Sequence, residues 1–151
     1  MEKQFDVIVK TRQNFSNLVN GLTIEQLNKI PQGFNNNIAW NFGHIIVSQQ
    51  VLCYTRAGLA SRIDETLTKK YQKGSKPESF IDANEIELLK KLAFSLIDDL
   101  KADMKENKFS AYQPVSTAFG VDLKTVEEAI PYFSMHDGLH LGYAQALKKL
   151  V

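Results

Sequence analysis

Apolar residues recur every three to four positions along most of the chain, the period of helices that bury one face. Over residues 2–20, Phe5, Ile8, Arg12, Phe15 and Val19 share that spacing, and Gly21 ends the run. Thr23-Ile24-Glu25-Gln26 has the form of a capping box, in which the first and last side chains each accept the other's backbone N–H. It predicts a short turn closed by Pro31 and Gly33. A second long helix is predicted to leave the Asn35-Asn36-Asn37 cluster and run to about Ala60. Ile38, Trp40, Phe42, Ile45, Ile46, Val47, Val51 and Leu52 cover much of its girth, so it should be buried on more than one side.

Residues 61–80 read as a connection, with Lys69, Lys70, Lys73 and Lys76 on a solvated loop or, alternatively, as an anion or coenzyme contact at the mouth of a site. Asp82 with Glu85 starts a third long helix. Its stripe of Ile86, Leu89, Ala93, Leu96, Leu100 and Met104 runs to about Glu106, opposite Lys90, Lys91, Asp98 and Lys101. Residues 107–124 are irregular, and no convincing strand is found. Thr125 with Glu128 opens a last helix to about Lys149. Pro131 lies too deep for a first-turn proline, so it either kinks this helix or moves its start to Ile130. Four long amphipathic helices predict an all-α four-helix bundle, with residues 1–151 as one domain.

Composition changes that picture little. The 151 residues are 44% hydrophobic and 23% charged, as in an ordinary globular domain. Eighteen Lys and Arg against 17 Asp and Glu give a net charge of +1, too small a basic excess for a nucleic-acid binder. No apolar run approaches the roughly 20 residues of a membrane span. The first residues, MEKQFDVIVKTRQNF, are charged throughout, so a secretory signal is not expected. Cys53 is the single cysteine and has no internal disulfide partner; a reducing cytoplasm is the simple expectation.

The candidate chemistry lies in three histidines, the only ones in the chain: His44, His136 and His140. His136 and His140 are four apart, about 40° of helical rotation, so one helix can present both to one ion. His44 lies within an apolar helix, where a buried imidazole needs partners for both nitrogens. The economical solution is a shared divalent metal, since three neutral imidazoles suit Zn(II), Ni(II), Fe(II) or Cu(II). Three protein ligands leave a position open, as in catalytic sites. Asn41 and Ser48 share the His44 face and can bond a ligand ring or a substrate, or simply pack. Trp40, one turn before His44, is expected to pack, either in the core or as a wall of the pocket. Tyr143 is expected in the core or lining the pocket. Asp137, about 100° from His136, is expected at the surface or behind the ligands. Cys53 is about 180° from His44 and reads as a small packed hydrophobe. No GxSxG elbow, phosphate-binding loop or CxxC competes, and the lack of a Glu-x-x-His pair disfavours a di-iron carboxylate bundle.

Asn37-Ile38-Ala39-Trp40-Asn41-Phe42-Gly43-His44-Ile45, followed by Met135-His136-Asp137-Gly138-Leu139-His140-Leu141-Gly142, resembles the DinB-like superfamily. The resemblance implies a variant of the up-and-down four-helix bundle. It implies one divalent metal, often zinc or nickel, on His44, His136 and His140, and in many relatives a homodimer. It also implies chemistry akin to thiol-dependent S-transferases, in which the metal activates a low-molecular-weight thiol. Relatives often carry Gln where Tyr143 stands here.

The leading expectation is therefore a metal-dependent enzyme joining a thiol to a small electrophile, with catalytic residues beyond the ligands unassigned. The alternatives are a metal-assisted hydrolase, which wants a general base that the sequence does not place, a non-enzymatic metal-binding stress-response module, and a plain bundle without metal.

Overall fold

The computed structural model describes residues 1–151. Six helices are present: α1 (Glu2–Asn20), α2 (Ile24–Asn28), α3 (Ile38–Cys53), α4 (Glu65–Tyr71), α5 (Ala83–Lys105) and α6 (Val126–Leu147). The predicted caps set their starts. Thr23 and Gln26 form the capping box of α2. The side chains of Asn37, Asp82 and Thr125 accept the N–H groups of Trp40, Glu85 and Glu128. Asn37 thus resolves the start that the asparagine cluster left open.

Three expectations are corrected. The second long helix stops at Cys53 instead of Ala60, because the chain passes into a tight turn, Thr55–Ala57, closed by Gly58 at φ 67°. The stretch 61–80 is not all loop: Asp64 caps the two-turn helix α4, which buries Leu67 and Tyr71 four residues apart. Lysines around so short an apolar pair hid its period. A small antiparallel ribbon also forms, β1 (Val115–Ser116) with β2 (Asp122–Leu123), and buries Leu123. Pro131 lies within α6 and does not move its start. It sits at an exposed position, as does Glu127, whose carbonyl loses its helical partner to the proline.

The buried side chains fall into two clusters, and these fix the helix directions. One joins Phe15 and Val19 of α1, Ile38–Val47 of α3, Leu89 and Ala93 of α5, and Ala144 and Leu147 of α6. The other joins Phe5 and Ile8, Cys53, Ile97 and Leu100, and Ile130 and Phe133. Hence α1 and α6 run one way and α3 and α5 the other. Bringing α5 back parallel to α3 requires the long connection 54–82, and α4 on that connection packs on α3. This is the variant on simple up-and-down order.

At the middle of the bundle all four long helices meet on Arg12, whose side chain is fully buried. Its Nε donates to Asp137 Oδ2 at 2.8 Å. Its Nη1 donates to Gln49 Oε1 at 2.8 Å and the Ala93 carbonyl at 2.9 Å, and its Nη2 to the Ile45 carbonyl at 3.4 Å. Gln49 in turn donates to the Leu96 carbonyl. Asp137, expected at the surface or behind the ligands, is thus a fully buried partner of this strut. A cation at a core position is tolerated only when paired and hydrogen-bonded, which explains Arg12 within an apolar stripe.

Candidate metal centre

The three histidines come together between α3 and α6. His44 stands in the middle of α3, and His136 and His140 are one turn apart on α6. Their ring centroids are 5.2, 4.7 and 4.4 Å apart, and one nitrogen from each lies within 4.8 Å of the others. His44 is 6% exposed; the other two are half-buried.

Hydrogen bonds set which nitrogen faces inward. His44 Nδ1 donates to the Tyr71 carbonyl at 2.6 Å, leaving the lone pair on Nε2. Trp40 stacks on this ring with centroids 4.6 Å apart and planes 12° apart, as a wall behind it. The Asn41 amide nitrogen donates to Asn36 Oδ1 and the Asn37 carbonyl, so Asn41 Oδ1 is the acceptor for His140 Nδ1, 2.7 Å away. The His140 lone pair is therefore on Nε2 as well, and it faces His136 Nε2 at 3.2 Å. Ser48 Oγ lies 3.3 Å from His44 Nε2. Asn41 and Ser48 thus bond ligand rings, as their shared face with His44 allowed.

Burial holds the imidazoles neutral. It lowers the pKa of His44, partly opposed by the bond to Tyr71. His136 is brought down to about 4 by burial, then by the His44 and Arg12 charges, and His140 to about 3 by burial and its two neighbouring histidines. Neutral imidazoles keep their lone pairs for a cation at ordinary pH.

The residues fit a divalent ion. Two imidazole nitrogens bound to one ion at about 2.0–2.1 Å stand about 3.0–3.4 Å apart, the range of the His136–His140 separation. His44 and His140 each have the second nitrogen tied to an oxygen acceptor, the arrangement that orients metal ligands. His136 Nδ1 is buried without a partner, so this ring is the least fixed of the three. The remaining side of the cluster opens into a cavity of about 420 Å³, within the usual range for small-molecule sites. Val47, Leu52, Tyr132 and Phe119 contribute its apolar walls, and no carboxylate lines it.

Other candidates lie elsewhere. Asp137 points to Arg12 rather than to the cluster. Burial raises its carboxyl to about 6 against the pull of Arg12, and its Oδ1 has no partner. Cys53 is fully buried with its thiol pKa pushed up by burial, the packed hydrophobe expected. Tyr143 is neither core nor lining: it is 37% exposed, lies outside the cavity and meets Phe34 edge-on at 5.9 Å. Of the lysines at 69–76, Lys69 pairs with Glu65 and Lys70 with Glu85, while Lys73 lines the cavity.

Sequence reasoning missed Tyr71 and Arg56. Tyr71 acts through its carbonyl, which no side-chain pattern reveals, and its ring presses so closely on Gly43 that a Cβ there would fall 2.4 Å from Tyr71 Cδ1. Arg56 lines the cavity from the turn after α3, where continued helix was expected.

No functionally curated protein matches the chain. Among solved structures, YfiT from Bacillus subtilis is similar, with a TM-score of 0.57 and 17% identity over 98% of this chain and 85% of that one. YfiT is described as a probable metal-dependent hydrolase with an unusual four-helix bundle topology; at this identity the likeness speaks for the fold alone. The family model of the DinB superfamily matches residues 8–144, a span that takes in all three histidines. With the bundle, its helix order and the histidine cluster in agreement with that match, the chain belongs to the DinB superfamily.

Proposed function

We propose that the chain is a metal-dependent enzyme that joins a low-molecular-weight thiol to a small electrophile in the cavity between α3 and α6. The observation that carries this reading is three imidazoles converging at the wall of a largely apolar cavity that holds no carboxylate. A divalent ion, zinc or nickel, held on His44, His136 and His140 would supply Lewis acidity, lowering the pKa of a thiol or water at its open position toward neutrality. The chain itself supplies position and dryness. The Tyr71 carbonyl and Asn41 Oδ1 hold two rings with Nε2 inward. Trp40 fixes the plane of the His44 ring. Val47, Leu52 and Tyr132 keep water from an incoming thiolate, which sharpens its reactivity. Ser48 Oγ lies where its hydroxyl can donate to a group entering beside His44. A thiolate formed this way needs no general base at the attack, which suits a cavity without one.

Metal-assisted hydrolysis is the second reading. It draws on Ser48, the one hydroxyl beside a ligand nitrogen, which could hold a water, and on the description of YfiT. Elemental mass spectrometry of tag-free protein, with His44→Ala and His136→Ala alongside, tests the common premise. About one equivalent of divalent metal, lost in both variants, is expected. Thiol consumption with 1-chloro-2,4-dinitrobenzene is then compared with thiol-free cleavage of p-nitrophenyl acetate. Metal-dependent thiol transfer supports the first reading, and metal-dependent ester cleavage alone supports the second. Bound metal without turnover in either assay supports a stress-response binding module. No metal after incubation with Zn(II) and Ni(II) near pH 8 refutes every metal-based reading.

A further inference from the structure

The cavity carries positive charge that nothing in the fold balances. Arg56 and Lys73 line it, and no Asp or Glu does, in a chain whose acidic and basic residues are otherwise nearly equal in number. The ion pairs of the fold involve neither residue. Lys73 is exposed, where solvation suffices, but Arg56 is half-buried. Its guanidinium has no hydrogen-bond or ion-pair partner in the fold, so its donors face the cavity free to take an anionic ligand. The backbone that carries Arg56 is held in place: the turn Thr55–Ala57 is closed by Gly58, Ala57 is buried, and the Arg56 carbonyl accepts the Gln113 N–H at 2.7 Å.

We infer that the cavity takes a small, largely apolar molecule bearing a carboxylate, which the Arg56 guanidinium binds while the rest of the molecule lies against Val47, Leu52 and Tyr132 toward the histidines. The inference rests on the reading of this cavity as the substrate site, and it names the substrate class. The planar fork of arginine matches the two oxygens of a carboxylate. The apolar walls favour an organic body over a fully hydrated inorganic anion. Lys73 adds charge at the mouth and speeds capture rather than fixing geometry.

The test is an NMR titration of chelator-treated protein with benzoate and with benzamide, which share a shape and differ in charge. Benzoate should bind at least tenfold more tightly than benzamide. Arg56→Gln and Arg56→Ala should each weaken benzoate at least tenfold and leave benzamide within about twofold, as expected for loss of a charge-assisted bond. Lys3→Ala, which removes a distant exposed charge, should change neither. Benzamide binding as well as benzoate, no saturable benzoate binding, inorganic phosphate displacing benzoate at lower concentration than benzoate itself needs, or an Arg56→Gln affinity within twofold of the parent would each overturn the inference. The comparison of benzoate with benzamide on the parent protein stands even if an Arg56 variant folds poorly. Because the titration is made without metal, a failure of the enzymatic reading leaves these affinities unchanged, and the two ideas fail separately.

Discussion

Replacing Arg12 with Met should be among the most destabilising single changes in this protein, and its effect should depend on pH. Methionine keeps much of the apolar stem but removes the donors to Asp137, Gln49 and the carbonyls of Ala93 and Ile45. Individual bond energies do not add, so the relevant magnitude is that of breaking one buried ion pair, about 3–5 kcal/mol. That is a large share of the roughly 5–15 kcal/mol that holds a domain together. For a chain of this size it corresponds to a fall in Tm of roughly 6–20 °C. Burial already raises the Asp137 carboxyl and the Arg12 charge opposes this, so removing Arg12 raises it further. A group whose folded pKa lies above its unfolded value is most favourable below the unfolded pKa, and that stability is lost as pH rises through the folded one. Urea unfolding should therefore show the gap between Arg12→Met and parent narrowing from pH 8 to pH 5. Adding Asp137→Leu should recover at least about 2 kcal/mol, because the unpaired charge is gone. A loss below about 1 kcal/mol, a gap that does not change with pH, or additive single and double variants would refute the strut as the element joining the four helices.

Gly43→Ala drives a Cβ into the Tyr71 ring, so it should cost about 1–3 kcal/mol in urea unfolding; since the Tyr71 carbonyl holds His44, zinc affinity by competitive chelation should also fall at least tenfold. Asn41→Ala removes the acceptor for His140 Nδ1 and should weaken zinc about 10–100-fold while the far-UV spectrum stays unchanged, with Asn41→Asp restoring most of the affinity. Burial alone would raise the pKa of Asp103, but bonds from Lys108, Tyr54 and Arg62 outweigh it and hold the carboxyl at about 2. Its contribution, about 1–2 kcal/mol, should thus be intact above the ordinary carboxylate pKa and disappear as pH falls toward 2, and Asp103→Asn should flatten that acid limb of the stability profile.

Three of the four long helices were legible with their starts because each is written twice, once in apolar spacing and once in a capping residue, Asn37, Asp82 or Thr125; Thr23 caps the short α2 in the same way, whereas α1 has apolar spacing but no side-chain cap. The histidine cluster was legible because i,i+4 spacing on α6 fixes the relation of His136 to His140, and because an imidazole at His44, within an apolar helix, needs partners for both nitrogens. Relative direction was not legible. Periodicity shows that α3 and α5 have buried faces and says nothing of which end meets which; that is decided by α4 packing back along α3. Tyr71 escaped notice because its contribution is a backbone oxygen. Arg56 escaped because the apolar pattern of α3 ran past the point where Gly58 turns the chain. Arg12 falls on the apolar spacing of α1, but its role as a buried strut was not legible, because its partner lies 125 positions away, beyond any local rule.

His136 and Asp137 are neighbours in the chain and do opposite work. The roughly 100° between successive helical residues sends one imidazole to the cavity and the carboxylate to the centre of the core. One turn of α6 therefore carries both the candidate chemistry and the tie to α1. This adjacency has a consequence for the ligand set. His44 and His140 are each oriented by an oxygen acceptor, whereas His136 Nδ1 has none, so the position of His136 depends on where the backbone of α6 is held. The Arg12–Asp137 pair holds it at the next residue. A change in the core at Arg12, which touches no ligand, is then transmitted to His136 through a single peptide unit, and should disturb that histidine more than the two that carry their own restraints.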